Sequence, residues 1–257
     1  MKYNRIVVKV GTSTLTHQNG KLDLLRIEKL VRTLSDIANA GTQVLLVSSG
    51  AIGVGVSTLK LPARPEDIPS KQAAAAVGQC RLMNIYEKIF AEYGYTVGQV
   101  LLTADVLHLT DGYEHVHNTI ERLLDYGVIP IVNENDTVSV DEIKIGDNDT
   151  LSAIVSVIAK ADLLILLSDI DGLYDHDPHQ AGAKRIPIVR GVTDEIRACA
   201  GGSVSGMGTG GMITKLDAAD MVNKAGIPMV LANGADPEVL YHIAEGESIG
   251  TLFEVIK

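Results

Sequence analysis

The chain has 257 residues, of which 46% are hydrophobic and 21% charged, so it can bury a sizeable core and is neither disordered nor of low complexity. Its 22 basic and 32 acidic residues leave a net charge of −10, the wrong sign for a protein whose affinity rests on nucleic-acid phosphate. With two Phe, eight Tyr and no Trp, the core has to be filled by aliphatic side chains, which suits strands buried on both faces.

Short aliphatic runs alternate with longer helical patterns along the chain. Arg5 to Val10 reads as a strand, Leu24 to Ala40 as a helix and Gln43 to Val47 as a second strand, a βαβ opening. A helix over Lys71 to Tyr93, a strand over Val97 to Leu102, a helix over Tyr113 to Asp125 and a strand over Val128 to Val132 follow. The alternation continues with a helix over Thr150 to Ala161, a fully apolar strand over Leu163 to Leu167, and a helix over Thr214 to Ala225 leading into Met229 to Leu231, with a last strand over Thr251 to Val255. The pattern predicts an α/β fold, a three-layer α/β/α sandwich around a mainly parallel central sheet. Between these elements, the polar stretch from Asn135 to Asp149 carries period-two Val138, Val140, Ile143 and Ile145 and predicts a projecting hairpin, while Asp175 to Arg185 reads as a surface loop.

Cys80 and Cys199 lie far apart with no CxxC, which predicts neither a disulfide framework nor a zinc site and fits a reducing, cytoplasmic setting. The N-terminus runs straight into a strand pattern, and no stretch reaches the ~18 apolar residues that a membrane span needs. No targeting segment and no membrane contact are expected. The histidines show no ligand spacing; His115 and His117 fall on different faces of a helix and read as surface residues. No metal ligand set is predicted from the chain.

In an open α/β sheet, ligands bind outside the carboxyl ends of the strands. The residues there are Lys9 to Ser13, Ser48 to Gly53, Asn133 to Asp136 and Ser168 to Gly172, small or polar in every case. Lys9 sits in an otherwise apolar strand, where a buried ammonium needs an anionic partner; the plain alternative is an edge-strand lysine with its head in water. Ser49 to Gly53 reads either as a tight turn or as a helix N-terminus offering N–H groups to an anion. Gly201 to Lys215 holds six glycines in its first eleven residues and reads as a mobile cover over a nucleotide with Lys215 reaching its phosphates, or as a plain surface loop. Its Gly206-x-Gly208-x-x-Gly211 spacing is not taken as a dinucleotide fingerprint, because no convincing strand precedes it. One residue of Asp147-Asn148-Asp149 suits a helix N-cap; two carboxylates separated by an amide could also hold lysines or magnesium, which makes Asp149 a candidate organiser for Lys9 and Lys215.

Taken together, Val8 to Ser13, Val47 to Ile52, Ser70-Lys71-Gln72, Ala76 to Gln79, Asn133 to Asp136, Gly146 to Asp149 and Gly208 to Lys215 resemble the amino-acid kinase family over essentially the whole chain. The Ser-Lys-Gln, Asn-Glu-Asn-Asp and Gly-Asp-Asn-Asp segments look like its branch acting on the γ-carboxylate of glutamate, rather than those acting on acetylglutamate, aspartate, carbamate or UMP. The resemblance implies ATP-dependent phosphorylation of L-glutamate, with Mg²⁺ as cofactor, as the first step of proline biosynthesis. It assigns Ser49, Asp136 and Asn148 to glutamate, and Lys9, Ser168, Asp169 and Thr209, Gly210, Gly211, Met212, Ile213, Thr214 and Lys215 to ATP. From their positions at the strand ends, Gly50, Ala51, Asn133 and Asp147 are further candidates for the glutamate subsite and Gly11 for that of ATP. The charge that moves in phosphoryl transfer makes Lys9, Lys215 and Asp149 the candidate catalytic centre.

Many bacterial members of that branch continue into a C-terminal PUA domain. Here the sequence stops at Lys257, so a kinase domain over residues 1–257 without a PUA domain is expected, its N-terminal half binding glutamate and its C-terminal half ATP. The resemblance also implies a homo-oligomer, dimer or tetramer, and feedback inhibition by proline around Ile52, Gly53 and the hairpin near Lys144. A non-catalytic nucleotide-binding protein on the same sandwich is the rival reading, and the joint presence of Lys9, Lys215 and Asp149 argues against it.

Overall fold

The computed structural model of the chain describes residues 1–17, 20–103, 111–138, 148–200 and 211–256. In chain order it runs β1 (Arg5–Val10), α1 (Thr12–Leu15), α2 (Leu24–Asn39), β2 (Gln43–Ser48), α3 (Ala51–Thr58), α4 (Ile68–Glu92), β3 (Val97–Leu102), α5 (Gly112–Asp125) and β4 (Ile129–Glu134). It continues with α6 (Asn148–Ile158), β5 (Leu163–Ser168), β6 (Leu173–Tyr174), β7 (Arg185–Ile186), β8 (Ile188–Arg190), α7 (Asp194–Cys199), α8 (Met212–Lys224), β9 (Met229–Asn233), α9 (Val239–Glu245) and β10 (Thr251–Glu254). An eight-stranded sheet has the order β3-β4-β2-β1-β5-β9-β10-β8. The strands from β3 to β9 in that order run parallel, and β10 turns back antiparallel to β9.

Strand alternation sends successive residues to opposite sides of the sheet. Ile6, Val8 and Val10 of β1 join a core with α2, α4 and α9, whereas Val7 of β1 and Leu45 and Val47 of β2 join a core with α5, α6 and α8. By the same alternation Lys9 shares the side of Val7. The three layers expected from the sequence are therefore present.

Element boundaries differ from the periodicity mainly where caps intervene. Helix α4 begins at Ile68, ahead of the predicted Lys71, because the Asp67 carboxylate accepts from the Ser70 N–H at 2.9 Å and Pro69 is tolerated in the first turn. Asp23 caps α2 in the same way, accepting from the Arg26 N–H at 3.0 Å. The loop after Asp175 is closed at its base by the β6–β7 pair. His115 is exposed as expected, but His117 is half-buried, with Nδ1 2.8 Å from the Ile158 carbonyl; surface placement fails for it because α5 packs that face against α6. The predicted hairpin lies mostly at 139–147, outside the described residues, as do Val140, Lys144, Asp147, Thr209 and Gly210.

Helices α3 and α4 approach backbone to backbone. A Cβ at Gly78 would stand 1.8 Å from the Ala51 carbonyl oxygen, and one at Gly55 would stand 1.8 Å from that of Ala74. In an open helix, Gly→Ala gains about 1 kcal/mol. At Gly78 the clash falls on rigid backbone and reverses the sign: Gly78→Ala is expected to lower stability by about 1–3 kcal/mol, seen as a lower urea midpoint at unchanged m-value. A midpoint at or above that of the unsubstituted chain would contradict the close approach.

Candidate active site

The chain leaves β1 for β2 on one side and later returns to place β5 on the other, so the sheet order diverges at β1, where a parallel sheet opens a crevice at its carboxyl edge. Lys9 lies at this point. It is in register with Val47 of β2 and Leu166 of β5 and only 6% exposed, so the edge-strand alternative falls. Its Nζ meets Asp149 Oδ1 at 2.5 Å.

Asp149, fully buried in the first turn of α6, has its other oxygen occupied too. Lys215 Nζ donates to Oδ2 at 3.0 Å and Thr214 Oγ1 donates to it at 3.1 Å. Lys215 is 7% exposed. The start of α6 suits a negative charge, because the helix dipole and unpaired N–H groups lie there. Among the described residues, two ammoniums meet one carboxylate here, in a low-dielectric place where charge acts strongly on a nearby anion.

A second cluster of amides and hydroxyls ties β2, β4, α4 and α6 together. Asn148 Nδ2 is within 2.9 Å of both Ser49 Oγ and Asn133 Oδ1, and 3.2 Å from the Ser48 carbonyl. Asn133 is 3% exposed, and its Nδ2 donates to Gln79 Oε1 at 2.8 Å. The Ser48 hydroxyl lies 2.9 Å from that of Tyr86, whose phenol is pushed above its ordinary pKa by complete burial. Gly50 takes the left-handed region (φ 101°) that lets β2 turn directly into α3. Asp136 is half-buried in the turn after β4.

On the far side of β1, Ser168 Oγ donates to the exposed Asp169 carboxylate at 3.0 Å, and the Asp169 carbonyl accepts from Asn233 Nδ2 at 3.2 Å. Gly11 precedes α1 and Gly211 precedes α8; Met212 is buried and Ile213 exposed.

The structure thus draws Lys9, Asp149 and Lys215 into one contact and Ser49, Asn133 and Asn148 into another. Gln79 and Tyr86 were missed as members of the site by sequence reasoning. They stand two turns apart on one face of α4, a spacing that reads as ordinary core until the helix is placed beneath β2 and β4. Among the described residues, no group of three His, Cys, Asp or Glu side chains is placed to hold a metal ion, and no helix is long and apolar enough to cross a membrane.

The chain is 58% identical over 254 residues to glutamate 5-kinase from Clostridium perfringens, a match covering 97% of this chain and 94% of that one. It is 57% identical to glutamate 5-kinase from Clostridium tetani, covering 98% and 95%. The solved structure of UMP kinase from Bacillus anthracis superposes with a TM-score of 0.69 at 16% identity, covering 100% of this chain and 98% of that one, a likeness of fold. The model of the amino acid kinase family matches residues 4–233. That span contains the strand ends and helix starts that assemble the two clusters, and the chain belongs to the amino acid kinase family.

Proposed function

We infer that this chain is a glutamate 5-kinase, transferring the γ-phosphoryl group of ATP to the side-chain carboxylate of L-glutamate in the first step of proline biosynthesis. The observation that carries the reading is the pair of buried lysines from β1 and α8 held on Asp149, beside a second cluster rich in hydrogen-bonding groups and suited to an amino acid. High identity to named glutamate 5-kinases over nearly the whole chain supports the choice of substrate.

A glutamate side chain with an ordinary pKa of about 4.3 is already ionised near neutral pH, so the acceptor needs no general base. One carboxylate oxygen forms the new bond to phosphorus, the bond from phosphorus to the β-phosphate oxygen breaks, and ADP leaves with that electron pair. The obstacle is repulsion between two anions. Lys9 and Lys215 neutralise charge on the moving phosphoryl group, and Asp149 holds both ammoniums in place before substrate arrives. Ser49, Asp136 and Asn148 bind glutamate, with Gly50 and Ala51 supplying the turn beneath it. Asn133, whose side chain is turned to Gln79 and Asn148, supports that subsite from within. Gly11, Ser168, Asp169 and the residues from Gly211 to Lys215 border ATP. Mg²⁺ bound with ATP would offset part of the phosphate charge during transfer.

The cysteine pattern supports a cytoplasmic setting, and the family resemblance alone supports the remaining parts of the reading: a homo-oligomer, dimer or tetramer, inhibited by proline near Ile52 and Gly53.

Incubation with ATP, Mg²⁺, glutamate and hydroxylamine is expected to yield γ-glutamyl hydroxamate. Turnover with a different acid but not with glutamate would move the assignment within the family, and no ATP turnover with any acid would overturn it. Asp136→Ala is expected to raise KM for glutamate about tenfold or more with kcat little changed, as loss of one charge-assisted contact made equally in ground and transition states. Steady-state kinetics at saturating ATP decides.

A further inference from the structure

The amide network beside Asp149 has only one consistent assignment of oxygens and nitrogens. The Glu134 backbone N–H can only donate, so the Asn133 atom 2.9 Å away is its oxygen. That same oxygen accepts from Asn148. The Asn133 nitrogen then faces Gln79, which must present its own oxygen there. At the other end, the Ser48 carbonyl can only accept, so Asn148 turns its nitrogen toward β2 and β4. Among the contacts of the described residues, Asn148 Oδ1 is thereby the atom turned from β2 and β4 and able to receive a donor such as an ammonium group.

Gln79 is the outermost member of this relay, half-buried on α4, a helix whose close approach to α3 at Gly78 leaves it little freedom to shift. Without an acceptor at position 79, the buried Asn133 nitrogen loses its partner. Of the three described contacts on the Asn133 amide, those of its oxygen with the Glu134 N–H and with Asn148 remain, so the amide is held less firmly, and a turned amide would set nitrogen against the nitrogen of Asn148. We propose that Gln79 is a positioning residue: through Asn133 it fixes the amide orientation of Asn148, and so sets selectivity for an acceptor carrying an α-ammonium group. This rests on the reading of the chain as a glutamate kinase.

The test compares Gln79→Met, similar in length but without the acceptor oxygen, with Gln79→Glu, which keeps one. For each, KM for glutamate is measured beside the inhibition constant of glutarate, which has the two carboxylates and no ammonium, together with KM for ATP and Tm. Gln79→Met is expected to raise KM for glutamate about tenfold while the constants for glutarate and ATP stay near their unsubstituted values. In Gln79→Glu, which keeps an acceptor for Asn133, selectivity for glutamate over glutarate is expected to be kept or to rise, because the added negative charge favours the α-ammonium that glutarate lacks. A parallel rise for glutamate and glutarate in Gln79→Met, an unchanged KM, or an equal loss of selectivity in Gln79→Glu overturns the proposal. Should Gln79→Met fail to fold, Gln79→Ala carries the same expectations. Failure of the underlying reading is distinct, since the unsubstituted chain would then show no glutamate-dependent turnover, and the proposal falls with it.

Discussion

Asp149→Asn is expected to stop turnover and to cost about 3–5 kcal/mol of stability, the range for removing one partner from a buried ion pair. The substitution preserves shape, so packing around α6 is unchanged. What it removes is the carboxylate that bridges the ammoniums of Lys9 and Lys215, both of which are nearly inaccessible to water. The new amide has one acceptor oxygen where two donors converge on Oδ2 and a third meets Oδ1, so an N–H would confront at least one donor. Urea denaturation and kcat on the same preparation check both halves of the expectation. Stability near that of the unsubstituted chain would mean that the lysines do not depend on Asp149.

Lys9→Met separates charge from architecture. Methionine fits between Val47 and Leu166 in the middle of the sheet, and Asp149 keeps Lys215 and Thr214, so the fold is expected to survive with Tm little changed. Removing one preorganised cation from the place where charge moves is expected to lower kcat about 10²–10³-fold. Both KM values should stay close to their starting level, since the loss falls on the transition state. Steady-state kinetics with glutamate and ATP varied in turn provides the check, and an unchanged kcat would remove Lys9 from the role given to it. The two substitutions are expected to differ in kind: Asp149→Asn loses stability and rate together, Lys9→Met loses rate alone.

Much of this was legible in the sequence. The run of Val7, Val8 and Val10 around Lys9 marked a buried strand with one anomalous charge, and Asp147-Asn148-Asp149 before a helical pattern marked both a helix start and a place for carboxylates. The residues after Val10, Val47, Val132 and Leu167 were readable as the ligand edge because strand direction in a parallel sheet is set by alternation with helices. Gln79 and Tyr86 were not readable in this way. Each looks like one more position on a long helix, and its meaning depends on which strand ends the helix passes beneath. His117 went astray for a related reason: helical spacing separated it from His115 without saying that its own face would meet α6.

By itself, then, the sequence determined the longer strands and helices and the set of polar residues at the strand ends, because hydrophobic period and capping are local properties that neighbouring residues settle among themselves, whereas the short elements α1, β6, β7, β8, α7 and α9 carry too few residues to show a period. The tertiary structure alone decided that β1 lies at the centre of the sheet rather than its edge, that Asp149 falls between ammoniums from positions 9 and 215, and that Gln79 closes a relay ending at Asn148. Contacts of 2.5–3.0 Å between residues so distant along the chain require the order of strands and the crossing of helices to be fixed first. That order is a balance of packing over the whole core, which no local stretch of residues carries.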